Sequence, residues 1–149
     1  MAEEKRELFE KINSQLKDAL KNKDELRLST LRMMKSKVLY VNARGDLPDM
    51  EIIKILNKYA KELKESIAEF KKVGRTQEVE RHEKELAIVQ EFLPRELSPD
   101  EIKQLVEQAI RNTGAASVKE MGKVMKEVLG KHPGIDGKTV NQYVREFLK

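Results

Sequence analysis

The chain has no cysteine and no tryptophan among its 149 residues. The first absence excludes a disulfide framework, a thiolate metal site and a cysteine nucleophile. The second, with aromatics at only 5%, leaves a core to be built mostly from Leu, Ile, Val, Met and Ala. Histidine occurs twice, at His82 and His132, far apart and in no metal-ligand spacing such as HExxH. Strand signals are nearly missing: there is no sustained alternation, and no Asn-Gly or Asp-Gly pair stands between apolar runs. No apolar run approaches the ~20 residues that cross a bilayer. The segment Met1 to Phe9 is acidic and polar and does not read as a secretory signal. The expected location is the cytoplasm, with no membrane contact.

What the chain does have is charge and helical period. Charged residues make up 38% and hydrophobic ones 39%, enough of the latter for a core in one domain or two small ones. The apolar residues recur at helical spacing, so the charges belong to long solvated helices rather than to a disordered chain. A first helix is expected from about Glu3 to Lys21, with Leu8, Ile12, Leu16, Ala19 and Leu20 on one side. Asp24 is placed to cap a second helix that is apolar over most of its circumference, through Leu26, Leu28, Leu31, Met33, Met34, Val38, Leu39 and Tyr40. Such a helix is expected to be central, with Ser29, Arg32 and Ser36 on a strip where a neighbour could approach closely. Gly45 and Pro48 mark a turn before a long third helix, Asp49 to Val73, whose Ile52, Leu56, Tyr59, Leu63, Ile67 and Phe70 step by three and four. Gly74 fits its C-cap, and Thr76 is expected to cap a fourth helix that Pro94 ends.

Pro94 to Pro99 is the expected boundary. Ser98-Pro99-Asp100-Glu101 then reads as a helix start, with the fifth helix stopping near Gly114. Ser117 to Glu120 matches a capping box for a sixth helix, closed by Gly130. His132-Pro133-Gly134 makes a turn, and Asp136 caps a last helix with Val140, Val144 and Phe147 inward. The expectation is an all-α fold: a four-helix N-terminal domain over 1–94, followed by a three-helix C-terminal domain over 98–149.

Catalytic constellations are scarce. His82 is in register with Val79, Leu86, Val89 and Leu93 and borders a packing face, while His132 sits in a turn with no second ligand or nucleophile nearby. GxSxG, Walker A and dinucleotide fingerprints are absent. No catalytic residue, metal or cofactor is expected in the isolated chain.

The net charge of +4 and pI of about 9.2 permit a polyanionic partner without demanding one. The basic residues of the sixth helix are more informative. At 100° per residue, Val118, Met121, Met125, Val128 and Leu129 share one face, and Lys119, Lys123 and Lys126 form a row on another, with Glu120 and Glu127 to one side. Gly122 lies at the border, where a missing side chain permits close approach. Lys131 follows in the loop, and the last helix carries Lys138, Gln142, Arg145 and Lys149. The N-terminus of that helix, near Gly134 and Gly137, could also meet a phosphate. The bland account is a solvated polar face. The functional account is a surface tracking the phosphates of a folded RNA, because no aromatic stacking set accompanies the rows. The candidate RNA-binding residues are therefore Lys119, Lys123, Lys126, Lys131, Lys138 and Arg145. Lys17 to Arg44 also holds eight basic and three acidic residues. Part of that stretch belongs to the central helix, where Arg32 is expected to pair with a Glu.

The stretches Arg27-Leu28-Ser29 and Arg32-Met33, the junction Phe92-Leu93-Pro94 to Leu97-Ser98, the element Met121-Gly122-Lys123-Val124-Met125 and the Asp136-Gly137 turn carry a resemblance. At these residues the chain resembles the GatB/YqeY family, specifically its stand-alone YqeY-like members, over essentially its whole length. The resemblance implies a two-part helical fold and kinship with the tail of the B subunit of the tRNA-dependent amidotransferase, a glutamine-dependent carbon–nitrogen ligase whose tail contacts tRNA. Gly122, Met125 and Lys126 look like that tail's own Gly-x-x-Met-Lys stretch. The catalytic portions of the amidotransferase have no counterpart here. The resemblance therefore implies tRNA or another folded RNA, but not DNA, as partner. Any ligase activity would belong to a complex with an amidotransferase or an aminoacyl-tRNA synthetase. The alternative is an adaptor that docks on such an enzyme without touching RNA, marked by an exposed apolar patch.

Overall fold

A computed structural model describes residues 5–132 and 134–148. The expected helix start at Glu3, the Pro133 of the turn and Lys149 at the end of the second basic row lie outside the described residues. Within them the chain is all-helical: α1 (Leu8–Lys21), α2 (Glu25–Val41), α3 (Asp49–Lys72), α4 (Thr76–Gln90), α5 (Pro99–Thr113), a 3-10 turn (Val118–Glu120), α6 (Met121–Lys131) and α7 (Gly137–Phe147). None of these helices is long and apolar enough to cross a membrane. The chain divides into two compact units, Met1–Leu93 and Pro94–Lys149.

In the first unit the local signals act where they stand. The Asp24 carboxylate accepts the Arg27 N–H at 3.2 Å and opens α2. Gly74, at φ +70°, takes the left-handed conformation that ends α3. The three-four seam of α3 buries Ile52, Leu56, Tyr59 and Leu63 in one core with Ile12, Leu31, Met34, Val38 and Val89, and Ile67 is buried further along the same side. Burial of Tyr59, with Glu85 and Glu62 nearby, pushes its phenol up to about 12. Thr76 caps nothing: it is the first residue inside α4, behind Arg75. Helix α4 stops at Gln90, four residues ahead of Pro94, whose missing N–H leaves the Gln90 carbonyl without an α-helical partner, and Phe92 is buried just beyond its end.

The start of α1 depends on a distant residue. Asp49, nearly buried, accepts the N–H groups of Glu7 and Leu8 with one carboxylate oxygen, both at 2.8 Å, and its own N–H donates to the Lys5 carbonyl at 2.7 Å. Free donors at a helix N-terminus are thereby satisfied by a negative charge, which also suits the helix dipole. The turn leading to Asp49 needs Gly45, whose φ is +70° and whose missing Cβ leaves room for the Phe9 ring. A second tie closes the other end of α1 and α2. The Arg27 guanidinium grips Glu91 through two bonds, of 2.8 and 2.9 Å, and also donates to Gln15. That grip holds the Glu91 carboxyl below the usual carboxylate range.

Helix α2 is central, as expected, but it is covered on one side only. It packs against α1, α3 and α4 and buries Thr30, Leu31, Met34 and Val38, yet Ser29, Arg32, Met33, Ser36 and Tyr40 all face solvent. Among the described residues no neighbour covers the serine strip. Arg32 has no ion pair among the described residues; Arg27 takes the structural pairing instead.

In the second unit Ser98 and Glu101 form a reciprocal capping box with Pro99 in the first turn, and Gly114 closes α5 at φ +70°. The core is Val106, Ala109, Val124, Val128, Val140, Val144 and Leu148, with Ala115 at its edge. Several expectations fail here. Met121, Met125, Val128 and Leu129 face the core as expected, but so does Val124, which the expected face left out, while Val118 lies in the preceding 3-10 turn and is exposed. Ser117 makes no side-chain cap; Glu120 reaches back one residue further, to the Ala116 N–H. Gly130 lies inside α6, which runs on to Lys131. At the other end, Leu148 fills the core position expected of Phe147, which is 40% exposed.

Candidate nucleic-acid interface

Burying Val124 and Val128 from α6, and Val140 and Val144 from α7, turns the polar sides of both helices outward. Lys123 and Lys126 stand exposed on α6, Lys138 and Arg145 on α7, and Lys119 on the 3-10 turn before α6. The acids interleaved with them are mostly engaged locally. Glu120 holds the Ala116 N–H at 2.5 Å, and Asp136 caps α7 by accepting the Lys138 N–H at 3.3 Å and the Thr139 hydroxyl at 3.3 Å. Glu127 pairs with Lys131 at 2.6 Å, which lowers its pKa below the usual carboxylate range.

The candidates therefore differ in kind. Lys119, Lys123, Lys126 and Lys138 have no ion pair on their ammonium groups among the described residues. Lys131 is held by Glu127, and Arg145 donates to the Asn141 side chain at 2.8 Å. Lys123, Lys126 and Lys131 meet around a shallow open depression shared with Thr113, Glu127 and Gly130. Lys119, Lys138 and Arg145 do not line it. Glu127 is thus part of the surface rather than to one side of it. The i,i+4 spacing of Glu127 and Lys131 was the available signal for their pairing. The α7 N-terminus is a poor phosphate seat, because the Asp136 carboxylate already accepts the Lys138 N–H there and would repel an anion.

Gly122 and Gly130 add a feature. Both are helical, and a Cβ built on either would meet nothing within 4 Å. Within its own unit neither glycine serves close packing, although each lowers the helix propensity of α6.

The two histidines belong to different units. His82 is half-buried, its Nδ1 lies 2.8 Å from the Glu78 carbonyl, and its ring tilts against Phe70 at a centroid distance of 5.1 Å. His132 ends α6 with its N–H on the Val128 carbonyl. Among the described residues no group of three His, Asp or Glu side chains is placed to hold a metal.

A family model described as Yqey-like protein matches residues 9–148 of the chain. An uncharacterized protein of Schizosaccharomyces pombe is 28% identical over 89 residues, covering 58% of this chain and 72% of the yeast protein.

Proposed function

The chain belongs to the Yqey-like protein family, and on that premise we propose that it is a non-catalytic accessory module that holds tRNA, or another folded RNA, by its phosphate backbone. The observation supporting this reading is the charge arrangement of the second unit. Four exposed ammonium groups, on Lys119, Lys123, Lys126 and Lys138, lack an ion-pair partner among the described residues, whereas Glu120, Glu127 and Asp136 are tied down by a backbone N–H, a lysine and a helix cap. Cations left free in this way release counterions when they meet phosphates. Lys131 and Arg145 would contribute less, since each must first give up a bond. The link to glutamine-dependent tRNA amidation rests on the resemblance to the amidotransferase tail. Amide transfer itself would be the work of a partner enzyme.

The test is fluorescence anisotropy of labelled tRNA against a duplex DNA control at two salt concentrations, with wild type and a Lys119→Gln/Lys123→Gln/Lys126→Gln variant. Tighter tRNA binding that falls steeply with salt is expected, and the triple variant should weaken it and flatten the slope of log K against log salt by about 2–3. All three side chains are exposed, so the variant should melt as wild type does. A folded triple variant with unchanged affinity and slope would refute the assignment. Absence of binding even at low salt would favour an adaptor that meets its enzyme through protein contacts.

A further inference from the structure

The chain has nine arginines, and seven of them use the guanidinium group internally. Arg6, Arg27, Arg75, Arg81 and Arg95 pair with carboxylates, while Arg111 and Arg145 donate to side-chain amides. Arg32 and Arg44 are the two whose guanidinium groups have no hydrogen bond or ion pair among the described residues. Both belong to the stretch from Leu26 to Gly45, which contains five basic residues and no Asp or Glu. Its two lysines are engaged, Lys37 with Glu62 and the Tyr59 ring, and Lys35 over the Phe9 ring.

Between the two free arginines stands Tyr40, 93% exposed in the last turn of α2. Its ring packs against no other ring or cation among the described residues. Ser29, Arg32, Met33, Ser36 and Tyr40 fall within about 100° of arc, so they form one exposed stripe. Arg44 follows Tyr40 by one turn's length of chain. The stripe thus holds an open aromatic face and a free guanidinium on Arg32, with Arg44 in the turn that follows; the nearest acids in sequence are Glu25, exposed at the start of the same face, and Asp46, which pairs with Arg6.

We infer that this face of α2 binds an unpaired stretch of RNA, with a base stacked on Tyr40 and flanking phosphates held by Arg32 and Arg44. An aromatic platform between cations is the usual chemistry of single-strand binding, and it tolerates any base because every base has a π-face. Arginine also stacks and forks onto phosphate, which lysine does not. A second copy of the chain meeting it about a two-fold axis is a poor occupant, since from Ser29 to Arg44 the stripe offers its own arginines no acid. A protein partner fits less well than RNA because the apolar side chains are not contiguous. Ser36 lies between Met33 and Tyr40, which are about 10 Å apart along the helix, whereas a protein interface needs a joined apolar centre. The inference shares its class of partner with the reading above but none of its residues, so either can fail alone.

The experiment uses the whole chain and a uridine 12-mer, with an RNA duplex of equal length as control. With no tryptophan present, tyrosine emission is readable, and it comes from Tyr40, Tyr59 and Tyr143. The single strand is expected to quench that emission, and the duplex to quench it far less. Tyr40→Leu should remove the quenching and weaken binding about 5- to 100-fold. Arg32→Gln should weaken binding and reduce its salt slope. The Lys119→Gln/Lys123→Gln/Lys126→Gln variant should leave quenching by the 12-mer intact. Both α2 positions are exposed, so circular dichroism of each variant should match wild type. Failure to quench, or unaltered 12-mer binding in Tyr40→Leu and Arg32→Gln, overturns the inference and returns the stripe to a protein partner. Loss of quenching in the lysine variant also overturns it, by placing the 12-mer on the second unit.

Discussion

Replacing Gly122 and Gly130 by alanine separates what the helix needs from what its partner needs. Both glycines lie inside α6, and an added Cβ at either meets no atom within 4 Å. Glycine in a helix is less favourable than alanine by roughly 0.5–1 kcal/mol, because it surrenders more backbone freedom on folding. Gly122 is in the first turn and Gly130 in the last, so the lower end of that range applies to each. The two sites are eight residues apart with no common neighbour, and their effects should add. The double variant should therefore be more stable by about 1 kcal/mol, which for a unit of this size raises its unfolding midpoint by about 4–8 °C. Thermal unfolding followed by circular dichroism reads this directly. If these positions are bare because an RNA backbone comes close beside Lys123 and Lys126, two methyl groups should weaken tRNA binding about fivefold or more, as overfilling a close contact does. Affinity would then fall while stability rises. A stabilised variant with wild-type tRNA affinity would refute the close-approach argument. A destabilised variant would refute the claim that the two positions are open.

Two further predictions concern single carboxylates. Asp49→Ala removes the acceptor of two N–H groups at the start of α1 and should destabilise the first unit by about 1–3 kcal/mol; chemical unfolding measures it, and an unchanged midpoint would mean that the α1 start is satisfied some other way. Glu101 is held down to about 2, first by its bond to Arg95 and then by the Ser98 N–H. A depressed carboxyl stabilises the fold above its ordinary range near 4.5 and loses that contribution as pH falls through the folded value, so the Ser98 cap should persist at pH 4 and open toward pH 2. Arg95→Ala should move the Glu101 titration upward, as carbon-detected NMR of the carboxyl would show, and an unmoved midpoint would exclude the arginine as the main cause.

The parts of this fold that were legible beforehand are those whose cause lies within a few residues. Asp24 before Arg27, Ser98 before Glu101, and Gly74 and Gly114 after their helices each act on backbone within one turn. The α3 seam is similarly local, since a three-four step places Ile52 through Ile67 on one side whatever covers them. The signals that misled were local ones with a nearby competitor. Ser117 had the right residue type for a cap, but Glu120 took the Ala116 N–H and the chain began with a 3-10 turn. Gly130 looked like a stop, yet the helix continued because glycine permits an ending without enforcing one.

The candidate interface was half legible for the same reason. The lysine positions follow from helical period, but their availability depends on where each acid goes. Glu127 reached Lys131, Asp136 capped the α7 N-terminus, and Glu120 turned back, which left Lys119, Lys123, Lys126 and Lys138 without an ion pair among the described residues. Helix α2 shows the limit most clearly. Its residues are apolar nearly all round, so period alone could not say which side would be covered. Packing against α1, α3 and α4 left Arg32, Met33 and Tyr40 in water.

Taken by itself, the sequence determined the class of fold, the number and order of helices, most of their caps and the excess of positive charge, because each depends on residue type and short-range spacing. Only the tertiary structure decided which charges are free, which face of α2 is bare, and that Asp49 holds the start of α1 from 41 and 42 residues away. Those outcomes depend on which groups meet across the fold, and no local pattern carries that information.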